Sequence, residues 1–163
     1  MKSDKILKIA ASLGVSFGAA AIGSVFTMSQ IATWYAGLHK TSFGPPNWVF
    51  GPVWTILYTL MAIALYLVWT KKSAKKTIKE SRHNGMLYFF IQLTCNSLWS
   101  IVFFGLHAPL AAFIVIIALW IFIYLTMRNF YMVSKTACQL LIPYLAWVSF
   151  AMILNFSIVL LNS

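Results

Sequence analysis

Side chains able to do acid–base or metal chemistry are scarce in this 163-residue chain. The only carboxylates are Asp4 and Glu80, and His39, His83 and His107 lie at or near the ends of apolar runs. This argues against a proton pump or cation transporter that relies on intramembrane acids. Cys95 and Cys138 differ in depth by roughly 15 Å at about 1.5 Å per helical residue, too far for a disulfide, and read as buried small hydrophobes. No His, Cys and carboxylate grouping suits a metal ion, and no histidine is placed as an axial haem ligand deep in a bundle. What recurs instead is aromatic rings beside uncharged polar groups at helical spacing. Trp54 and Tyr58 are four residues apart. Gln92, Asn96, Trp99 and Ser100 fall on one helix face, and Pro143 precedes a second stripe of Tyr144, Trp147, Ala151 and Asn155. Two chemistries fit. The polar groups can join helices by hydrogen bonds worth about 1 kcal/mol each, or they can anchor a ligand between aromatic walls.

Helices must hold those stripes. Hydrophobic residues make up 61% of the chain and charged residues 9%, against about 45–50% and about 25% in soluble domains. Mean hydropathy is +0.85. Such a chain cannot coat a water-soluble globule, and its 17% aromatic content excludes disorder. Charge is missing between Lys8 and Lys40, between Lys40 and Lys71, between Arg82 and Arg128, and after Lys135. One crossing takes about 20 residues, so the third gap holds two helices, turning at His107-Ala108-Pro109. The predicted fold is an all-α integral membrane protein, one domain over 1–163, with five transmembrane helices at about 6–27, 47–69, 85–105, 109–128 and 138–160. The apolar runs lack the alternation of a β-barrel. The first run exceeds the about 7–15 residues of a signal-peptide core and reads as a retained helix.

Five crossings put eleven basic residues on one side: Lys2, Lys5, Lys8, the six between Lys71 and Arg82, Arg128 and Lys135. Lys40 stands alone on the other. The positive-inside rule predicts a cytoplasmic N-terminus and an external C-terminus in a cell-membrane protein. The pI of 9.9 then reflects topology and anionic lipid headgroups, not nucleic acid.

The connection at about 28–46 is too polar and turn-rich to span, yet carries Trp34, Tyr35, Leu38 and Phe43. It either lies along the membrane interface or folds over a cavity as a lid. Pro45 and Pro46 suit the entry of the second helix. Gly51 and Pro52, within its second turn, predict a kink or local opening. Gly14-Val-Ser-Phe-Gly18 permits close helix approach, either inside the bundle or against a second copy.

Three blocks of sequence together carry a resemblance. The first runs Trp34-Tyr35-Ala-Gly-Leu38-His-Lys40-Thr-Ser42-Phe43-Gly-Pro45-Pro46-Asn-Trp48-Val49-Phe50-Gly51-Pro52-Val-Trp54-Thr55-Ile-Leu57-Tyr58. The second is Gln92-Leu93-Thr-Cys-Asn96-Ser-Leu-Trp99-Ser100 with Phe103-Phe104-Gly105, and the third Pro143-Tyr144-Leu145-Ala146-Trp147-Val-Ser-Phe150-Ala151 with Leu154-Asn155. In this order they strongly resemble the TspO/MBR family, the tryptophan-rich sensory proteins and translocator proteins, from about residue 10 to the end. The resemblance implies a five-helix membrane bundle with a cavity near the external face, capped by the first loop. It implies porphyrins such as protoporphyrin IX and haem, and benzodiazepine-receptor drugs, as ligands, with no cofactor required. Homodimers occur in the family, so a homodimer is expected.

Matched position by position, the implied pocket residues are Trp54, Tyr58, Asn96, Trp99, Ser100, Trp147 and Ala151, with Trp34, Tyr35 and Phe43 in the lid and Pro45 and Pro46 at its junction. Trp54, Asn96 and Trp147 come out roughly 10, 14 and 20 Å from the external ends of their helices, shallow enough to share one cavity. One departure concerns cholesterol. The late helix-5 motif of the animal proteins needs a tyrosine and a basic residue, and the stretch from Leu154 to Ser163 has neither, so high-affinity cholesterol binding is not carried over. Two function classes follow, besides a scaffold whose pocket holds only lipid. One is a tetrapyrrole-binding receptor, sensor or transporter, with Lys40 or His39 meeting the propionates. The other is an enzyme degrading protoporphyrin in light and oxygen, with Trp54 and Trp147 as the catalytic electron donors.

Overall fold

Backbone groups in lipid must be satisfied within their own segment, so each long uncharged run becomes a helix. In the computed structural model, which describes residues 2–162, the order is α1 (Lys2–Ile31), short 3-10 turns at Tyr35–Gly37 and Asn47–Val49, then α2 (Phe50–Thr70). α3 (Lys76–Ser100) runs into a π-helical turn, Ile101–Gly105, followed by α4 (Pro109–Val133), α5 (Lys135–Leu140) and α6 (Ile142–Leu161). α5 and α6 form one crossing, so five spans are long and apolar enough to cross a membrane, and no strand occurs among the described residues. The protein is an all-helical membrane bundle.

The helices outrun their predicted limits where charge was read as loop. α3 begins at Lys76, within the basic run, and Lys76 and Glu80 sit 3.9 Å apart one turn along it. A helix leaving the bilayer can carry charge and still continue. At Gly51 and Pro52, where a kink or local opening is predicted, the change of helix type falls just before them. The Asn47–Val49 turn comes first, with the Val49 amide donating to the Pro46 carbonyl at 3.0 Å, and α2 starts only at Phe50. Pro52 therefore sits in a first turn, where its missing N–H leaves no bond unmade. A further break falls before Pro143, at Leu141, whose amide turns back to the Cys138 carbonyl at 3.0 Å. The His107 turn forms as predicted, with His107 itself at φ 52°.

α3 is the most buried span. It packs against α1, α2 and α4. Gly85 permits the α4 contact, because a Cβ there would come within 2.8 Å of the Phe130 ring. Phe89 stacks on Phe130 just beyond, with ring centres 5.9 Å apart, inside a core that includes Met61, Leu65 and Ile123. α1 approaches α3 along its small residues: the Ser97 and Ser100 hydroxyls donate to the Ala19 and Gly23 carbonyls at 3.2 and 2.8 Å. Side chains such as Ile56, Ile114 and Leu160 point outward, as lipid-facing residues should. Cys95 and Cys138 are free thiols, half-buried rather than fully buried.

Candidate functional site

Packing in the lid-side half of the bundle leaves a cavity of about 470 Å³ between α1, α2, α3 and α6, within the usual range for small-molecule sites. Tyr58 and Asn96 form its floor, and a hydrogen-bonded chain runs from them to residues behind the lining. The Tyr58 hydroxyl donates to Asn96 Oδ1 at 2.7 Å, Asn96 Nδ2 donates to the Tyr144 oxygen at 2.9 Å, and the Tyr144 hydroxyl donates to Gln92 Oε1 at 2.7 Å. All four residues are buried. Buried polar groups in a bilayer are stable only when partnered, and here three helices partner one another.

The walls are aromatic. Trp54 stacks on Tyr58 at 5.5 Å and meets Tyr144 edge-on at 6.3 Å. Along the same α2–α6 wall Trp147 packs edge-on against Phe50 at 6.0 Å. Trp99 stacks on Phe103 at 5.3 Å, and its indole N–H donates to Asn155 Oδ1 at 3.0 Å. Asn155 in turn donates to the Pro109 carbonyl at 2.8 Å, which ties the start of α4 to α6. Ser100 shares a 2.6 Å hydrogen bond with Thr27 on α1. Hydrogen-bond partners are thus assigned for Trp99, Asn96 and Ser100, whereas no described residue accepts from the indole N–H of Trp54 or Trp147.

The roof is Tyr35, buried beneath the lid against Phe103, Phe104 and Ile158. Burial pushes its phenol above the ordinary value, so the roof is neutral. Lys40 lies outside it, donating to the Tyr35 carbonyl at 2.9 Å with its ammonium 4.5 Å from the ring centre. Asn162 clasps the His39 backbone twice, accepting from its N–H at 3.0 Å and donating to its carbonyl at 2.9 Å.

The profile of the TspO/MBR family matches residues 11–161. The chain belongs to the TspO/MBR family. It is 48% identical to the tryptophan-rich protein TspO of Archaeoglobus fulgidus over 97% of this chain and 99% of that one. It is 45% identical to the protein of the same name from Chlorobaculum tepidum, over 98% and 99%. The human translocator protein is 36% identical over 84% of this chain and 79% of its own.

In this TspO/MBR member, Tyr35, Trp54, Tyr58, Asn96, Trp99, Ser100, Trp147 and Ala151 all line the one cavity. Four others named from sequence lie elsewhere. Trp34 is stacked on His107 at 4.4 Å and packs on the Phe103 and Phe104 rings from the far side. Phe43 is 53% exposed, in the turn that Gly44 closes onto the Thr41 carbonyl at 3.2 Å. Pro45 and Pro46 lead into the 3-10 turn without reaching the cavity, because that turn stands between them and α2. His39 and Lys40 likewise do not line it. Sequence reading missed the whole α1 wall, from Phe17 to Ile31. The signal was present in Ala20, Gly23 and Ser24, small residues whose spacing leaves room, but small residues also suit plain helix packing.

Proposed function

We propose that this protein is a membrane receptor or sensor that holds flat, apolar ring molecules in the cavity: porphyrins such as protoporphyrin IX and haem, and drug-like ligands of the benzodiazepine-receptor class. Family membership supports the receptor or sensor role in a membrane, since its relatives include a tryptophan-rich sensory protein and translocator proteins. The observation that carries the ligand reading is the pair of indoles, Trp54 and Trp147, on the α2–α6 side of the cavity with no described residue accepting from their N–H groups. Such rings stack on a flat ligand and keep a donor for its polar edge. No cofactor is needed for binding. Quenching of tryptophan emission by protoporphyrin IX tests this. Trp54→Ala/Trp147→Ala should weaken affinity by about tenfold or more, each aromatic contact being worth on the order of 1 kcal/mol. Unchanged affinity in the folded double variant means that porphyrin binds elsewhere.

The same indoles support a second reading, light- and oxygen-dependent degradation of protoporphyrin. Trp54, stacked on Tyr58, is an electron donor to a photoexcited ring, and no carboxylate or histidine among the described residues lines the cavity to offer acid–base catalysis instead. Loss of the Soret band under illumination, abolished in Trp54→Phe/Trp147→Phe, separates enzyme from receptor.

The basic residues support a cell-membrane orientation with the N-terminus cytoplasmic and the lid and C-terminus external. A homodimer is also proposed. Gly14 and Gly18 do not pack inside the bundle: both face open space on α1, free for a second copy.

A further inference from the structure

The cavity's exposed lining is one-sided. Every lining residue contributed by α3 and α6 is buried or half-buried, whereas Ala21, Ser24 and Met28 of α1 and Asn47, Gly51 and Thr55 beside them at the start of the second crossing are exposed. The gap between α1 and α2 is therefore the cavity's open side. Its depth is set by the spans. Ala21 lies ten residues inside the end of α1 and Thr55 eight residues beyond Asn47, roughly 15 and 12 Å at 1.5 Å per residue. At its deep end the gap is thus at the level of acyl chains in the lid-side leaflet, while Met28 and Asn47 carry it up to the interface.

The gap is kept wide by composition. Ala21, Ser24 and Gly51 carry almost no side chain, and a Cβ built at Gly51 meets nothing within 4 Å. Ser24 turns its hydroxyl back to the Ala21 carbonyl at 2.9 Å, so the rim presents little unpaired polarity. The aqueous side is shut by contrast. Tyr35 is buried under a lid fastened by Lys40, by both Asn162 bonds and by the Trp34–His107 stack.

We infer that ligands enter and leave this cavity sideways, from the lid-side leaflet, through a portal between α1 and α2 whose sill is Ala21, Ser24, Gly51 and Thr55. The inference rests on the ligand-binding reading above and narrows it: the ligand is a molecule that partitions into the bilayer before it binds, selected by thickness at the portal. The lid is a fixed roof.

The test is stopped-flow quenching by protoporphyrin IX, pre-equilibrated with phosphatidylcholine proteoliposomes of the full chain. Ala21→Leu/Gly51→Leu narrows the portal. Because one barrier governs both directions, association and dissociation should both slow by about tenfold, whereas simple damage to the site would speed dissociation. Asn162→Ala loosens the roof and should leave both rates within about twofold of wild type. Faster exchange in Asn162→Ala, with the leucine pair at wild-type rates, makes the lid the entrance and overturns the portal. Leucine variants that bind at unchanged rates overturn it alone. Absence of saturable binding in the wild type overturns the ligand reading and the portal with it.

Discussion

Replacing Asn96 by alanine should damage the fold more than ligand affinity. Its carboxamide accepts from Tyr58 at 2.7 Å and donates to Tyr144 at 2.9 Å, joining α2, α3 and α6 at one buried point. Alanine removes both bonds. Tyr144 keeps its 2.7 Å bond to Gln92, but the Tyr58 hydroxyl, 4% exposed as a residue, loses its acceptor. Interhelical hydrogen bonds in bilayers average about 0.6 kcal/mol and reach about 1.7, and an orphaned buried donor adds about 1–3. The expected loss is about 2–4 kcal/mol, from two bonds at the average value and one orphan. Tyr58→Phe removes one bond and leaves only an acceptor unpaired, so about 1 kcal/mol is expected. Tyr58→Phe/Asn96→Leu, which removes both partners, should be less destabilised than the sum of its singles by about 1 kcal/mol. Reversible unfolding of the detergent-solubilised protein measures all of these, and quenching by protoporphyrin IX measures affinity in parallel. Affinity of Asn96→Ala should change by less than about threefold, because both polar atoms of its carboxamide are already held by tyrosines of the protein. A variant of wild-type stability with abolished binding would refute this reasoning and make Asn96 a ligand anchor.

Three further outcomes are expected. Impermeant amine reagents applied to intact cells should label Lys40 and spare Lys75; labelling of Lys75 first reverses the topology. Gly85→Ala drives a Cβ to 2.8 Å from Phe130 and 3.0 Å from Asn129, so it should cost about 1–3 kcal/mol in the same unfolding assay, and a neutral result means α4 can retreat. Gly14→Leu/Gly18→Leu should shift light scattering in mild detergent from dimer to monomer with the thermal midpoint kept, since neither Cβ meets the bundle; an intact dimer places the contact on another face.

The five crossings were legible because they follow from one quantity, the distance between charges along the chain. The ends were not, because charge marks where a helix leaves lipid and not where it stops: α3 starts at Lys76 and α4 continues past Arg128 to Val133. The polar stripe of α3 was legible as a face, since 3.6-residue spacing fixes it. Whether that face glues helices or lines a pocket was left open by spacing, and Asn96 does both: it bonds to two tyrosines and still borders the cavity. The lid was the weakest part of the reading. Trp34 and Tyr35 are neighbours of the same aromatic character, yet one turn of 3-10 helix sends Tyr35 inward to the cavity and Trp34 to the outer side against His107. Loop residues have no periodicity from which to read such a division.

The hydrogen-bond assignments constrain what the cavity can recognise. Tyr58, Asn96, Tyr144, Gln92, Trp99, Asn155 and Ser100 are all engaged with one another or with backbone carbonyls. The walls therefore offer a ligand mainly ring faces and methyl groups, with two indole N–H donors at Trp54 and Trp147. Among the described residues no charged side chain lines the space, and the lid cation Lys40 is turned onto the Tyr35 ring. Discrimination by charge inside such a space is weak, because an ionised group entering it would lose its hydration without gaining a counter-charge. Discrimination by shape is strong, because stacked rings and a fixed floor set the thickness of what fits between them. A flat ring can lie against the Trp54 and Trp147 wall only if its ionised groups remain toward the portal, where headgroups and water are within reach. That orientation follows from the same feature that makes the floor stable: its polar atoms are already paired.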